Sequence, residues 1–297
     1  MGRLPRREKS SISLECARGK IFPSELLSRS GLFLSQEELQ IISDKTIAQA
    51  GFGGVGALVI ELLARWGIKR FRLLDMDRYE ISNMNRQIYA TLETLGRYKA
   101  EIAAERIKQI NPFAEIEMVC CGKLNHGNVR ELIQGADIVI READLPTANL
   151  LLHYYAKKFR IPLIEGHCHK VTGGVVSVFD YRSPKQRSID EPTRIKFINN
   201  LLYRYFKVSR NEIGTIPEDR FADIDREFKP AGTLNFVTNL LACLVVSETI
   251  KLILNEGKRV VYPKQIYIDT FRLKLKIKSA YNFERFWGYI KREWLRK

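Results

Sequence analysis

The run Gly51-Phe52-Gly53-Gly54-Val55-Gly56 constrains this chain more than any other feature. Thr46 to Ala50 is short and strand-like and leads straight into it. Ala57 to Trp66 follows, with apolar residues at helical spacing (Leu58, Leu62, Leu63, Trp66), and Gly67 stops the helix. A strand, a turn with glycines at Gly51, Gly53 and Gly56, and then a helix let backbone N–H groups approach a phosphate at the helix N-terminus. Asp75 stands 24 residues after Gly51, at the end of a second strand, Phe71 to Leu74. That is where a carboxylate accepts hydrogen bonds from a ribose. To this point a nicotinamide-dependent dehydrogenase and an ATP-using enzyme fit equally well.

The rest of the chain repeats the alternation. Helical periodicity covers Gly96 to Ile110 and is closed by Asn111-Pro112. Strands are expected at Ile116 to Cys120, Asp137 to Ile140, Pro162 to Glu165 and Val175 to Asp180. Helices are expected at Asn128 to Gln134 and Asn149 to Phe159. Strands alternating with helices give an α/β, Rossmann-like fold with a mainly parallel sheet and helices on both faces. Four segments follow. Residues 1–45 form a basic arm and N-terminal helices, with a helical stretch over 24–43 in which Ser35 and Glu38 make a capping box. Residues 46–182 form the nucleotide-binding core. Residues 183–232 form a crossover or lid, charged and broken by Pro184, Pro192, Pro217 and Pro230. Residues 233–297 complete the same domain with a long apolar helix, Leu234 to Asn255, a strand at Gln265 to Asp269, and a last strand. In that last strand Lys274 and Lys276 alternate with Leu273, Leu275 and Ile277, which predicts one wet face.

Composition narrows the partners. The 297 residues carry a formal net charge of +15, which favours acidic partners such as ATP, tRNA, an acidic peptide or an acidic carrier protein. The N-terminus has charges but no apolar core of a signal peptide, and Arg6 breaks a myristoylation pattern at Met1-Gly2. The apolar stretch from Leu234 holds Asn235, Asn239, Glu248 and Lys251, so it reads as a buried helix and not a membrane span. Five scattered cysteines with no C-x-x-C spacing suit a reducing compartment, and the expected location is the cytoplasm.

The segment after Asp75 breaks the tie between cofactors. Asp75-Met76-Asp77-Arg78-Tyr79-Glu80-Ile81-Ser82-Asn83-Met84-Asn85-Arg86-Gln87 is dense in carboxamide and cationic groups, and Gly96-Arg97-Tyr98-Lys99 then opens a helix. Here the sequence resembles the ThiF/MoeB/HesA family of ubiquitin-activating-enzyme-like adenylyltransferases. The family pattern is D-x-D-x-x-E-x-S-N-x-x-R-Q followed by G-x-x-K. The match runs from Arg29 to Gly174, and the doubled glycine Gly53-Gly54 and the helix end Ile110-Asn111-Pro112 agree with it.

The resemblance implies roles. Gly51, Gly53, Gly54 and Gly56 would cradle ATP phosphates. Asp75 would hold the ribose, with Asp77 in the same nucleotide-binding run. Asn83, Arg86 and Lys99 would contact the triphosphate and draw charge off the leaving pyrophosphate, with Gln87 lining the same wall. The physical need stands beside the analogy. Attack by a carboxylate on an α-phosphate joins two anions, so cations and a metal must offset the repulsion. The family's magnesium ligand lies in D-x-V-x-D-x-x-D-N. In Asp137-Ile138-Val139-Ile140-Arg141-Glu142-Ala143-Asp144-Leu145, Asp144 falls on that position. Arg141 replaces an acid, Leu145 replaces the Asn, and Asn149 stands where an Arg is usual; Glu142 is a candidate second oxygen. Arg29 matches the arginine that family dimers supply to the neighbouring subunit's ATP, which implies a homodimer.

The cysteines and histidines are read differently. In His167-Cys168-His169, alternate strand residues point to opposite faces, so a metal cluster is not expected. Many relatives carry a catalytic Cys in the crossover and four zinc cysteines near the C-terminus; residues 183–230 hold no Cys, and the zinc set is absent. The expected reaction is therefore adenylylation of a carboxylate by ATP without zinc or a thioester. Its acceptor would be a peptide or a ubiquitin-like or sulfur-carrier protein. A TcdA-like tRNA threonylcarbamoyladenosine dehydratase is the alternative, carried by Asn83 to Ile88 and Ala104 to Pro112. A non-catalytic nucleotide-binding partner subunit is a third reading, and an NAD(P) oxidoreductase a fourth that Asn83-x-x-Arg86-Gln87 disfavours.

Overall fold

The computed structural model describes residues 26–168, 171–187, 217–226 and 232–280. The expected helical stretch over 24–43 resolves into a 3₁₀ turn, Ser30–Leu32, and a helix, α1 (Gln36–Ser43). Ser35 opens α1 with the predicted capping box: its hydroxyl accepts from the Glu38 amide, and its own amide donates to the Glu38 carboxylate at 2.7 Å. The first strand, β1 (Thr46–Ala50), is buried along its whole length, as a central parallel strand must be.

The glycine turn follows, then α2 (Gly56–Arg65), β2 (Arg70–Leu74) and the polar run. The next helix, α3 (Lys99–Ile110), begins three residues later than periodicity suggested. Gly96 has φ +78°, in the left-handed region, and so ends a turn instead of starting a helix. Then come β3 (Glu115–Cys120), α4 (His126–Ile133), β4 (Ile138–Arg141), α5 (Pro146–Phe159), β5 (Leu163–Cys168) and β6 (Gly173–Phe179). A short helix, α6 (Phe221–Asp225), precedes α7 (Asn235–Leu254), β7 (Lys264–Asp269) and β8 (Lys274–Ser279).

The eight strands form one sheet in the order β3-β2-β1-β4-β5-β6-β7-β8. β3 to β5 on that path run parallel, while β6, β7 and β8 are added antiparallel to β5 and to one another. The chain winds outward from β1 in one direction through β2 and β3, and in the other through β4 and β5. The direction therefore reverses between β1 and β4, and a crevice opens at the carboxyl ends of those two strands. This is the position where open α/β sheets bind ligands.

Two cores cover the sheet. α2, α3 and α7 supply one, with Ile60, Leu63, Val237, Leu241 and Val245 buried. α4 and α5 supply the other, with Val129, Leu132, Leu151 and Leu152. Each such side chain contributes roughly 1.5–3 kcal/mol by leaving water. α7 is long and apolar enough to cross a membrane by length and composition. It packs instead on α2, β5 and β6, with Glu248 buried and paired to Lys251. β8 corrects the sequence reading. It exposes every residue and not one face only, with Leu275 66% and Ile277 44% exposed. Cys243, on α7, is exposed.

A candidate nucleotide site between the glycine turn and the β4 loop

The turn is built by close approach. Gly51 has φ +96°, and a Cβ there would stand 2.4 Å from the Glu142 carbonyl carbon. A Cβ on Gly56 would stand 2.1 Å from the Gly51 carbonyl oxygen, and one on Gly54 2.9 Å from a Thr238 methyl. Gly53 differs. A Cβ there would meet only the Gln87 amide, at 3.8 Å, so the space in front of it is open. Packing thus explains three of the four glycines, and an open cradle beside the α2 N-terminus explains the fourth. Gln49, wholly buried on β1, ties the turn shut by donating from Nε2 to the Gly51 carbonyl at 3.0 Å and the Gly56 carbonyl at 2.7 Å. Sequence reasoning missed this residue. Its only signal was a polar side chain in an otherwise apolar strand.

The polar run wraps the mouth of the turn. The Asp75 carboxylate accepts from the Phe52 amide at 2.7 Å and from the Asp77 amide at 2.8 Å, so it holds the glycine turn and the polar run together. Burial pushes its pKa from 3.8 to about 6, against the pull of Lys99. Each oxygen keeps a second lone pair for a ribose. Lys99, the first residue of α3, is buried and pairs with the half-exposed Asp77 carboxylate at 3.0 Å. Asn83 is buried too, and it accepts from the Glu80 amide at 3.2 Å, which makes it a brace for the run. Arg86 donates to the Ser82 carbonyl at 2.8 Å and to Asn85 at 2.9 Å. Gln87 is buried, and its Oε1 has no partner among the described residues. A polar atom desolvated beside an open cradle suits a bound polar ligand.

Across the crevice lies the loop after β4. Asp144 reaches solvent yet sits in a protein-walled cleft. Burial raises its pKa, while Arg141, Lys99 and Arg86 oppose that and Asp77 adds to it. Those fields show that the fold brings Asp77, Arg86, Lys99 and Asp144 to one place. Glu142 is corrected as a second metal oxygen. Its Oε1 accepts from the Gly166 amide at 2.8 Å, and burial pushes its carboxyl well above the usual range, which favours the neutral form. Among the described residues no group of three His, Cys, Asp or Glu could hold a metal. One carboxylate with phosphate oxygens and waters is the set magnesium takes, so Asp144 fits that ion and not zinc.

Other expected residues fall elsewhere. Arg29 is exposed beside the first 3₁₀ turn, and among the described residues no hydrogen bond or ion pair links its guanidinium to the crevice. His167 and Cys168 project alternately from the end of β5, and His169 lies outside the described residues. Burial pushes the Cys168 thiol up to about 11, with Glu142 and Asp144 adding to it, so it is no ready nucleophile. Cys16 and most of the crossover lie outside the described residues.

The comparisons with known proteins agree with this geometry. The ThiF family pattern matches residues 27–284. The tRNA threonylcarbamoyladenosine dehydratase of Escherichia coli strain K12 is 32% identical over 191 residues, covering 62% of this chain and 68% of that one. The molybdopterin-synthase adenylyltransferase of Haemophilus influenzae is 29% identical over 262 residues, covering 88% and 94%. A crystal structure of Escherichia coli MccB with AMPCPP and MccA superposes with a TM-score of 0.66 at 20% identity, covering 86% of this chain and 71% of that one.

Proposed function

The chain belongs to the ThiF family, and on that premise we propose that it is an ATP-dependent adenylyltransferase that joins AMP to a carboxylate and releases pyrophosphate. The observation that carries this reading is the juxtaposition at the crevice. An open Gly53 cradle faces a buried, pre-positioned Lys99, with Arg86 on the same side and Asp144 opposite. A nicotinamide enzyme needs the cradle but has no use for cations converging where a triphosphate would extend.

The turn would bind phosphates through backbone N–H groups, and Asp75 the ribose. In the reaction an acceptor carboxylate oxygen attacks the α-phosphorus. A phosphorus–oxygen bond forms to the acceptor, and the bond to the β-phosphate breaks. Lys99 and Arg86 would stabilise the charge that moves onto the leaving pyrophosphate. Because Asp77 already holds Lys99, that cation is oriented before substrate arrives, and little reorganisation is needed. Magnesium, where bound, would be held by Asp144 and would supply charge neutralisation between the two reacting anions. Arg29 would act on the nucleotide of the second subunit of a homodimer, in a cytoplasmic enzyme that uses no thioester.

The acceptor in this reading is a peptide or a small carrier protein with a free carboxylate. The name of the Haemophilus relative, an adenylyltransferase of molybdopterin synthase, and the capture of MccA with MccB support it. A second reading, a threonylcarbamoyl group on tRNA as the carboxylate, is favoured by the Escherichia coli relative and by the net charge of +15. ATP–pyrophosphate exchange measured with peptides, carrier proteins and tRNA separates the two. Exchange that depends on a protein or peptide carboxylate supports the first. Exchange that only tRNA elicits replaces it with the second, and hydrolysis to ADP and phosphate sinks both.

A further inference from the structure

Arg141 is a charged residue where the sheet calls for an apolar one. It ends β4 between β1 and β5, opposite Ala50 on one side and Glu165 on the other. Only 7% of it is exposed, and Glu165 is 4% exposed. Its Nε donates to Glu165 Oε2 at 2.7 Å. Its Nη1 donates to the Ala143 carbonyl at 2.8 Å. Glu165 is fixed in turn by His153, whose Nε2 lies 3.2 Å from the same oxygen. His153 Nδ1 lies 2.7 Å from the Tyr181 hydroxyl, and its ring stands edge-on to Phe179 at 4.6 Å. These side chains form one buried, satisfied chain of contacts that ends on the backbone just before Asp144.

A buried ion pair contributes little net stability, since desolvation offsets attraction. What it does contribute is geometry. The planar guanidinium presents Nε and Nη1 to two acceptors in a rigid fork, whereas an ammonium is a compact point charge whose donors rotate and fix no such geometry. The Ala143 carbonyl is one peptide unit from Asp144, so fixing it fixes where the Asp144 carboxylate can point. The same loop touches the glycine turn, because the Glu142 amide donates to the Ala50 carbonyl at 2.8 Å. On the far side of the loop Asp225 accepts from the Thr147 amide at 3.0 Å and from its hydroxyl at 2.6 Å. The loop that carries Asp144 is therefore clamped at both ends, by Arg141 before it and by Asp225 after it.

We propose that Arg141 is a positioning residue for metal-nucleotide binding, holding the Ala143 carbonyl so that Asp144 meets the metal in one orientation, with Glu165 and His153 holding Arg141. The proposal rests on the reading of Asp144 as the magnesium ligand. Leu145, the residue after Asp144, offers no polar side chain to hold the loop, so the Arg141 contact to the Ala143 carbonyl is the polar side-chain tie next to Asp144.

The test measures binding, not turnover. ATP is titrated into the chain without divalent ion, and magnesium is then titrated at fixed ATP, both by calorimetry. Three variants are compared with the wild type: Arg141→Met, Arg141→Lys, and the double variant Arg141→Met/Glu165→Gln, which removes both members of the buried ion pair together and is checked for folding by circular dichroism. The double variant should bind metal-free ATP within about twofold of wild type. Its half-saturating magnesium should rise about 10- to 100-fold, the usual cost of losing a partner behind a metal ligand. Arg141→Lys should show the same rise, because it keeps the charge and loses the two-acceptor geometry. Wild-type magnesium dependence in a folded double variant, or full rescue by lysine, overturns the proposal. A wild-type chain that binds ATP with no response to magnesium overturns the magnesium reading of Asp144 and the proposal with it.

Discussion

The two walls of the crevice are built on different principles. The wall formed by the run from Asp75 to Lys99 combines short contacts inside the run with two longer ones, from Asp75 to the Phe52 amide and from Lys99 to Asp77, 23 and 22 residues apart. Asp75 braces Asp77, Asn83 braces Glu80, and Arg86 bonds Ser82 and Asn85, all within a few residues. The wall formed by the β4 loop uses long-range contacts. Arg141 and Glu165 are 24 residues apart, and His153 and Tyr181 are 28 apart. The first wall pairs a buried cation, Lys99, with the half-exposed Asp77. The second buries its ion pair almost completely. The difference teaches where function and stability separate. Lys99 and Arg86 on the first wall have partners that water can also solvate, whereas Arg141 and Glu165 on the second are buried and committed to one another.

The sharpest way to break this comparison is to remove one cation from each wall. Arg141→Met strands the Glu165 carboxylate in the core and should cost about 3–5 kcal/mol of stability by chemical denaturation. Lys99→Met leaves a partner that water can solvate, and should cost less than about 1 kcal/mol. Equal losses would show that the walls are alike.

Activity should report the reverse. Lys99→Ala and Arg86→Ala should each lower ATP–pyrophosphate exchange by about two to three decades, since each removes a preorganised charge contact to the leaving group. Circular dichroism and melting should stay near wild type. Near-normal exchange in both variants would show that neither cation serves the triphosphate.

This contrast also explains what the sequence could disclose. The glycine turn and the capping box at Ser35 were legible from their local spacing, and Asp75 and Lys99 from their offsets in the pattern that follows the turn, although Phe52 and Asp77, which they contact, lie 23 and 22 residues off. Arg141 was visible only as a departure from a pattern. Its meaning needed Glu165, and strand pairing that joins them is not written in either local segment. Gln49 was hidden for another reason: its partners are only two and seven residues on, but the two carbonyls come together only when the turn closes. The exposed β8 was misread because alternation predicts two unlike faces but says nothing of whether a neighbour covers either. Asn83 and Asp75 were assigned to the ligand, and the structure gives each a bracing role as well.

A pH experiment sharpens the comparison within carboxylates. Asp75 has its pKa raised from 3.8 to about 6, so the native state holds this proton more tightly than the unfolded chain does. Its contribution to stability is present below pH 3.8 and is lost as pH rises through about 6. Glu165 is opposite: burial opposes ionisation, but Arg141 and the His153 hydrogen bond hold its carboxyl well below the usual range. Its contribution is present above the unfolded value of 4.5 and is lost as pH falls below it. Denaturation of Asp75→Asn beside wild type between pH 4 and 7 should show the wild type losing on the order of 1–3 kcal/mol relative to the variant as pH rises. A pH-independent difference would refute the assignment.

The smallest effect expected is at Gly53. Gly53→Ala should change stability by no more than about 0.5 kcal/mol, because the added methyl meets open space, yet it should weaken nucleotide binding. Gly56→Ala, which drives a methyl into the Gly51 carbonyl, should destabilise by about 1–3 kcal/mol. Matched losses in the two melts would show that the Gly53 cradle is not open.

In the proposed reaction the crevice takes a triphosphate and not a dinucleotide. Calorimetric titration of the wild-type chain and of Gly53→Ala with ATP and with NAD tests this directly. The account predicts ATP binding that tightens with magnesium, weakens in Gly53→Ala, and exceeds any NAD binding. Tighter binding of NAD than of ATP would contradict it.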